Sequence, residues 1–310
     1  MGSFPTVGRR REKAVSARGG WGLTLMRLDG GGIPGNNRSV GPPHSPFSMS
    51  TSLLSADETQ IRRWVEQFDR DGYLFLKDVL PPALCAELRA DLDRMLAENP
   101  GGDRHLSPTI EFLPRAFEHS PANLSLFDLE PIVSFAEALI APNCHVIHNN
   151  SFKTLSGGLT GWHQDDPPHY VVTDGKPPAN VRLPVLFFTA NYYLTDVNEI
   201  ENGGTEVIPG SHLFGQPCPA DVAGTEWESK VHYNLGGAGS VIMFNNQVWH
   251  RGGPNRSGRT RYITQVTYAR RIIGHKYYPF MNYQMPEHIY RGADERKKRL
   301  LGFLEHGAYG

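Results

Sequence analysis

The sequence predicts a mainly β fold, an antiparallel sandwich or jelly roll with flanking helices, and three observations predict it. From about Cys144 onward the chain reads as a series of β-like runs separated by Gly, Pro and Asn turns. No helical pattern interrupts those runs, which argues against a parallel α/β sheet. The helical patterns gather before the runs and in the tail. At 310 residues, with 39% hydrophobic and 20% charged residues, the chain is long enough for one large core.

The elements follow in order. SADETQIRRWVEQFDR opens with Ser55, the expected N-cap, and places Ile61, Val65 and Phe68 at helical spacing. DGYLFLKDVL is a short strand introduced by Asp71-Gly72. PPALCAELRADLDRMLAENPGG is a second helix, with Pro at its start, Leu84, Leu88, Leu92 and Met95 on one face, and Gly at its end. The β runs are then CHVIHNNSFKTL, RLPVLFFTANYYLTD, GGTEVIPGSHL, GSVIMFNNQVWH and RTRYITQVTYARRII. ADERKKRLLGFLEHG reads as a charged final helix.

Residues 1–48 have a different composition. Of 31 Lys and Arg and 32 Asp and Glu in the chain, they hold seven and two, which leaves 24 and 30 for the rest. Rich also in Gly, Pro and Ser, this stretch cannot bury enough apolar surface to offset its ordering entropy, so a disordered leader is expected. It is either an organelle presequence, being Arg-rich and acid-poor, or an extension upstream of a start at Met49. Residues 49–310 are expected to form a single domain, in the cytoplasm unless the leader directs import.

Composition narrows the function. A net charge of −1 offers no basic surplus for nucleic acid, and no apolar run approaches the ~20 residues of a membrane span. Three scattered cysteines, Cys85, Cys144 and Cys218, are neither a disulfide framework nor a zinc ribbon. The oligomeric state is open.

The chemistry centres on GWHQDDPPHY. With 13 His in the chain, roughly one His-x-Asp triplet is expected by chance, so His163 and Asp165 need a third ligand. On a strand they would point to one face while Trp162, Gln164 and Asp166 turn away. Pro167 and Pro168 then end the strand at a rim. His250, where the apolar run GSVIMFNNQVWH ends, is the candidate. Two imidazoles and one carboxylate on one face of a metal, with the other positions open, is the arrangement of non-heme Fe(II) oxygenases. Eleven residues on lies Arg261, whose guanidinium can grip a carboxylate with two parallel hydrogen bonds. Arg259, Arg261, Ile263, Gln265 and Thr267 would share a strand face. His145, His148, His169 and His212 read as structural. Of the aromatic residues Phe187, Phe188, Tyr192, Tyr193, Phe244 and Trp249, only one of each adjacent pair can face a cavity.

Together, WHQDDPPH, ENGGTEVIPGSHL and GSVIMFNNQVWHRGGPNRSGRTR resemble the phytanoyl-CoA dioxygenase family of Fe(II)- and 2-oxoglutarate-dependent oxygenases. The resemblance runs from about Asp69 to Val266 and includes DRDGYLFLKDVLPPALCAELR. It implies a double-stranded β-helix (jelly roll, cupin-like) with one Fe(II) on His163, Asp165 and His250. It further implies 2-oxoglutarate held by Arg261, with Asn191 and Asn150 facing the cosubstrate, and O2 as the second cosubstrate. The implied reaction is hydroxylation of an aliphatic C–H of a small-molecule metabolite or natural product, releasing succinate and CO2. A fatty acyl-CoA substrate is not implied, because PHYVVTDGKPPANVRLP is a segment where family members differ. Desaturation or ring formation stays open as an alternative. Halogenation is disfavoured because it needs a small residue where Asp165 stands. A non-catalytic cupin-like module is disfavoured by Arg261 beside a complete triad.

Overall fold

The structure, a computed structural model, describes residues 52–98, 105–173, 182–275 and 283–305. The expected disordered leader, residues 1–48, lies outside them. The described residues fall in the unit Phe47–Gly310.

Helix α1 (Glu58–Asp71) buries Ile61, Trp64, Val65 and Phe68, the spacing of one helix face, and closes at Gly72. Its N-cap is Asp57 rather than Ser55. The Asp57 carboxylate accepts from the Gln60 backbone N–H at 2.7 Å, and Ser55 lies a half-turn too early to reach that donor. Asp57→Ala is therefore expected to cost about 1 kcal/mol of stability, read as a lower urea midpoint, whereas Ser55→Ala leaves the midpoint unchanged.

Strand β1 (Tyr73–Leu76) and helix α2 (Pro82–Glu98) follow as the sequence predicts, α2 burying Leu84, Leu88, Leu92 and Met95. Then come β2 (His105–Ser107), β3 (Ile110–Pro114) and the short helices α3 (Pro121–Ser125) and α4 (Ile132–Leu139). The predicted β runs become β4 (His145–Thr154), β5 (Phe187–Tyr193), β6 (Thr205–Val207), β8 (Val241–Asn245), β9 (His250–Gly252) and β10 (Arg261–Ala269); the two-residue β7 (His232–Tyr233), between β6 and β8, lies outside those runs. GSVIMFNNQVWH thus divides into one whole strand and the start of another. Helix α5 (Glu287–Tyr290) precedes α6 (Glu295–Leu300), which is shorter than the tail's composition suggested.

The strands form two antiparallel sheets, ordered β1-β8-β5-β10-β4-β3-β2 and β7-β6-β9. This is the jelly-roll fold. Alternation along each strand decides what faces where. On β5, Phe188 and Tyr192 enter the main hydrophobic core, while Thr189, Asn191 and Tyr193 line an internal cavity. Phe188 meets Phe68 of α1 and Phe135 of α4, with ring centroids 5.7 and 5.5 Å apart, so helices cover the outer face of the large sheet. On β10, Val266 and Tyr268 turn to the helices, and Arg261, Ile263 and Gln265 turn to the cavity.

Behind the cavity wall lies a buried polar knot. Asn123 Oδ1 accepts from Thr264 Oγ1 at 2.6 Å and from Ser151 Oγ at 3.3 Å. Asn149 Nδ2 donates to Gln265 O at 2.8 Å. Buried polar groups satisfied in this way fix the strands that carry the cavity residues on their opposite face.

Candidate active site

The site is built where the small sheet meets the segment before Asp165. His250 opens β9, and its backbone exchanges hydrogen bonds with His163 at 2.9 and 3.0 Å. The segment around His163 and Asp165 is no continuous strand; it pairs with β9 at that bridge and, three residues earlier, through the Thr160 N–H, which donates to Gly252 O at 3.0 Å. Its side chains nevertheless alternate. Trp162 is buried in an aromatic cluster with Trp249, and Gln164 Oε1 accepts from the Cys218 N–H at 3.0 Å. Asp166 is turned outward, 3.2 Å from His169 Nε2.

His163, Asp165 and His250 converge, their ligand atoms lying within 4.8 Å of one another. Asp165 Oδ1 is 3.9 Å from His163 Nε2 and 3.7 Å from His250 Nε2. Both rings are oriented from behind. His163 Nδ1 lies 2.8 Å from Gly161 O, and His250 Nδ1 lies 2.9 Å from Val248 O. A carbonyl can only accept, so each Nδ1 carries the proton and each Nε2 presents its lone pair to the centre. Burial pushes the His250 imidazole down to about 4, which keeps it neutral, the ligating form, at neutral pH. Two nitrogen donors and one carboxylate, with the rest of the sphere open to a cavity, fit Fe(II).

That cavity, of about 240 Å³, also holds Arg261, Asn150 and Asn191. Gln265 of β10 is directly opposite Asn150 on β4 and Asn191 on β5, which makes a row of three amides across the floor. Asn150 Oδ1 and Asn191 Oδ1 are buried with no protein partner among the described residues. Arg261 is buried on the first residue of β10. Its Nη1 donates to Gly253 O at 3.2 Å and its Nη2 to Thr154 Oγ1 at 3.4 Å, while Nε has no partner among the described residues. Burial lowers this guanidinium to about 10, partly opposed by Tyr193 and Glu206, so it remains charged. A buried cation lining a cavity fits an acidic ligand such as 2-oxoglutarate.

The segment GGTEVIPGSHL, which contains β6, supports this wall. Gly203 is in the left-handed region (φ 73°), and an added Cβ would stand 2.9 Å from Arg261 Nη1, so no other residue suits that turn. Glu206 pairs with Arg251 at 2.7 Å, and Arg251 lies over the Trp162 ring at 5.0 Å, which braces β9 against the His163 segment.

Residues 68–263 match the family described as Phytanoyl-CoA dioxygenase (PhyH). The chain belongs to the phytanoyl-CoA dioxygenase family. As a member of that family it is an Fe(II)- and 2-oxoglutarate-dependent dioxygenase that uses O2, as its resemblance implied. A dioxygenase olcK of Penicillium canescens is 26% identical over 223 residues, covering 64% of this chain and 67% of that protein. An ectoine dioxygenase of Nocardia farcinica is 28% identical over 220 residues, covering 61% of this chain and 70% of that protein. Among solved structures, HygX from Streptomyces hygroscopicus with nickel and 2-oxoglutarate bound has a TM-score of 0.56 at 15% identity, covering 67% of this chain and 86% of that one. At that identity the likeness is one of fold.

One expectation needs correction within this dioxygenase fold. Arg259 does not share a strand face with Arg261, because β10 begins at Arg261. Arg259 is exposed and lines a depression beside Cys85 and Arg89, which Arg261 also borders. His148, which is not among the converging ligand residues, lines the cavity two residues along β4 from Asn150, and His145, past a bulge in that strand, has Nε2 2.8 Å from Ile273 O. Thr160 also lines the cavity, and strand alternation counted back from His163 hides it. His212 does bond to backbone, its Nε2 being 3.0 Å from Asp69 O. Among the described residues, no helix is long and apolar enough to cross a membrane.

Proposed function

We propose that residues 49–310 act as a single dioxygenase domain that hydroxylates an aliphatic C–H of a small-molecule metabolite or natural product. In this reading His163, Asp165 and His250 hold Fe(II), and Arg261 holds the distal carboxylate of 2-oxoglutarate, with Asn191 and Asn150 beside it. The observation that carries the reading is the buried Arg261 guanidinium lining the same cavity as a His-Asp-His triple.

When bound, iron and its cosubstrate supply the oxidant, one oxygen atom of O2 going to succinate and the other to the substrate, with loss of CO2. The chain's own residues do the rest. The carbonyls of Gly161 and Val248 fix the two imidazole tautomers. Phe244, its ring centroid 4.3 Å from that of His250, and Ile263 keep the wall beside the ligands apolar and limit access of water. The amide row of Asn150, Gln265 and Asn191 offers donors and acceptors that can orient a ligand without adding charge.

The test is to load the protein anaerobically with Fe(II) and 2-oxoglutarate, admit oxygen with candidate substrates, and measure succinate and product mass. Succinate with a product heavier by one oxygen atom is expected. A product lighter by two hydrogens would move the assignment to desaturation or ring formation. Absence of any 2-oxoglutarate turnover across Fe(II)-loaded preparations would sink the reading.

A further inference from the structure

Between helix α2, the end of β5 and the turn before β10 lies a depression of about 540 Å³. Arg89, Arg259 and Arg261 border it, against a single carboxylate, Asp196. None of the three arginines forms an ion pair among the described residues, and Asp196 Oδ1 accepts the Ala238 N–H at 2.9 Å. The depression therefore carries a surplus of positive charge.

Its donors are held in place before any ligand arrives. Arg89 stands one turn past Cys85 on α2 and donates from Nη1 to Leu194 O. Its Nε and Nη2 make no hydrogen bond among the described residues. The turn NRSGR is fixed by buried Asn255, whose Nδ2 donates to Arg259 O at 2.6 Å and whose Oδ1 accepts from Ser257 Oγ at 2.8 Å. Arg259 thus carries an exposed side chain on a fixed backbone. Asn202 is buried, and its Oδ1 accepts the N–H groups of Asn198 and Glu199, each at 3.1 Å. Its Nδ2, with no hydrogen bond among the described residues, is the end left for a ligand. Groups fixed in this way lose little further entropy on binding.

Cations and an amide from three separate elements suit a ligand that accepts hydrogen bonds on several sides and carries more than one negative charge. A phosphate monoester does both, with three terminal oxygens and a charge of roughly −1.5 to −2 at pH 7. We propose that this depression binds a phosphate group, with Arg89 and Arg259 as its charged anchors and Asn202 as a neutral donor. Arg261 is the residue it shares with the catalytic cavity. A dianion there draws on the charge that also attracts the cosubstrate, so phosphate and 2-oxoglutarate weaken each other by one common factor. That coupling rests on the reading of Arg261 given above; the phosphate site does not.

The experiment is a calorimetric titration of the Fe(II)-loaded full chain, without oxygen and with 2-oxoglutarate saturating. The probes are inorganic phosphate and glycerol 3-phosphate, and both should bind. Tighter binding of glycerol 3-phosphate assigns the site to a phosphate ester, and equal binding to free phosphate. Arg89→Gln and Arg259→Gln should each weaken the probes about tenfold, equivalent to about 1.4 kcal/mol. Arg63→Gln, which alters an exposed arginine on α1, should leave them unchanged. Arg259→Gln keeps the test decisive should loss of the Leu194 contact stop Arg89→Gln from folding. Rising phosphate should lift the 2-oxoglutarate Kd about fivefold to a plateau, the mark of two coupled sites. No binding of either probe, or binding that neither arginine variant weakens, overturns the proposal. So does a 2-oxoglutarate Kd that climbs without a plateau, which would put phosphate in the catalytic cavity or on iron. A constant 2-oxoglutarate Kd, with probe binding still sensitive to both variants, removes the coupling alone. If Arg261→Ala does not weaken 2-oxoglutarate, the cosubstrate reading fails, and the probe titrations still decide the phosphate site.

Discussion

Asp165→Ala is expected to strip iron from the protein, and Asp166→Ala to leave nearly all of it in place. Asp165 carries the only carboxylate in the ligand triple, with Oδ1 3.9 and 3.7 Å from the two imidazole Nε2 atoms. Its removal leaves two neutral nitrogen donors around a dication. Loss of groups that merely orient a metal ligand costs ~10–100-fold in affinity, so loss of the ligand itself should exceed about a hundredfold. Asp166 faces the other way, exposed, 3.2 Å from His169. Exposed pairs of that kind contribute little, and its removal should change iron affinity by less than about threefold. Metal content after dialysis against a weak chelator checks both variants. Comparable iron loss in the two would show that the ligand face has been assigned one residue off.

The contrast between those neighbours was readable from the sequence, and the reason is local geometry. Residues 162–166 form no continuous strand, yet their side chains alternate as they would on one. Spacing therefore put His163 and Asp165 on one side, and an apolar run ending in Trp-His brought His250 to them. The β runs were legible for the same reason, since each buries one face against helices or another strand. Thr160 was not legible. A single extra residue at Gly161–Trp162 shifts the phase, and nothing in GLTGWH marks where the pairing with β9 slips. His148 was missed for a related reason. On an unbroken strand its separation from His145 would put the two on opposite faces, but β4 bulges against β10 between Val146 and His148, a shift of phase that spacing alone does not show. The cap at Asp57 instead of Ser55 reflects competition between two good capping residues two apart, decided by which can reach the Gln60 N–H.

Arg261 and Arg259 are the pair for which periodicity could offer no choice, and the structure separates them sharply. Arg261 is the first residue of β10, directly opposite Thr154, buried, and lines the cavity with His163, Asp165 and His250. Arg259 precedes the strand and is exposed, and its carbonyl is held by Asn255 Nδ2 at 2.6 Å. Arg261→Ala is therefore expected to weaken 2-oxoglutarate binding by about ten- to over a hundredfold, the equivalent of the roughly 1.5–3 kcal/mol carried by hydrogen bonds to charged groups. Iron content should be spared, because Arg261 donates to Gly253 O and Thr154 Oγ1 and not to the ligands. Lysine at this position should recover only part of the loss, since it supplies charge without the planar fork. Arg259→Ala should bind 2-oxoglutarate as the unaltered protein does. Anaerobic titration of the iron-to-cosubstrate absorption in all three variants decides the matter. Weakened binding in Arg259→Ala with normal binding in Arg261→Ala would place the carboxylate outside the cavity, in the depression beside Arg89, and the buried guanidinium would then be left with no ligand to explain it.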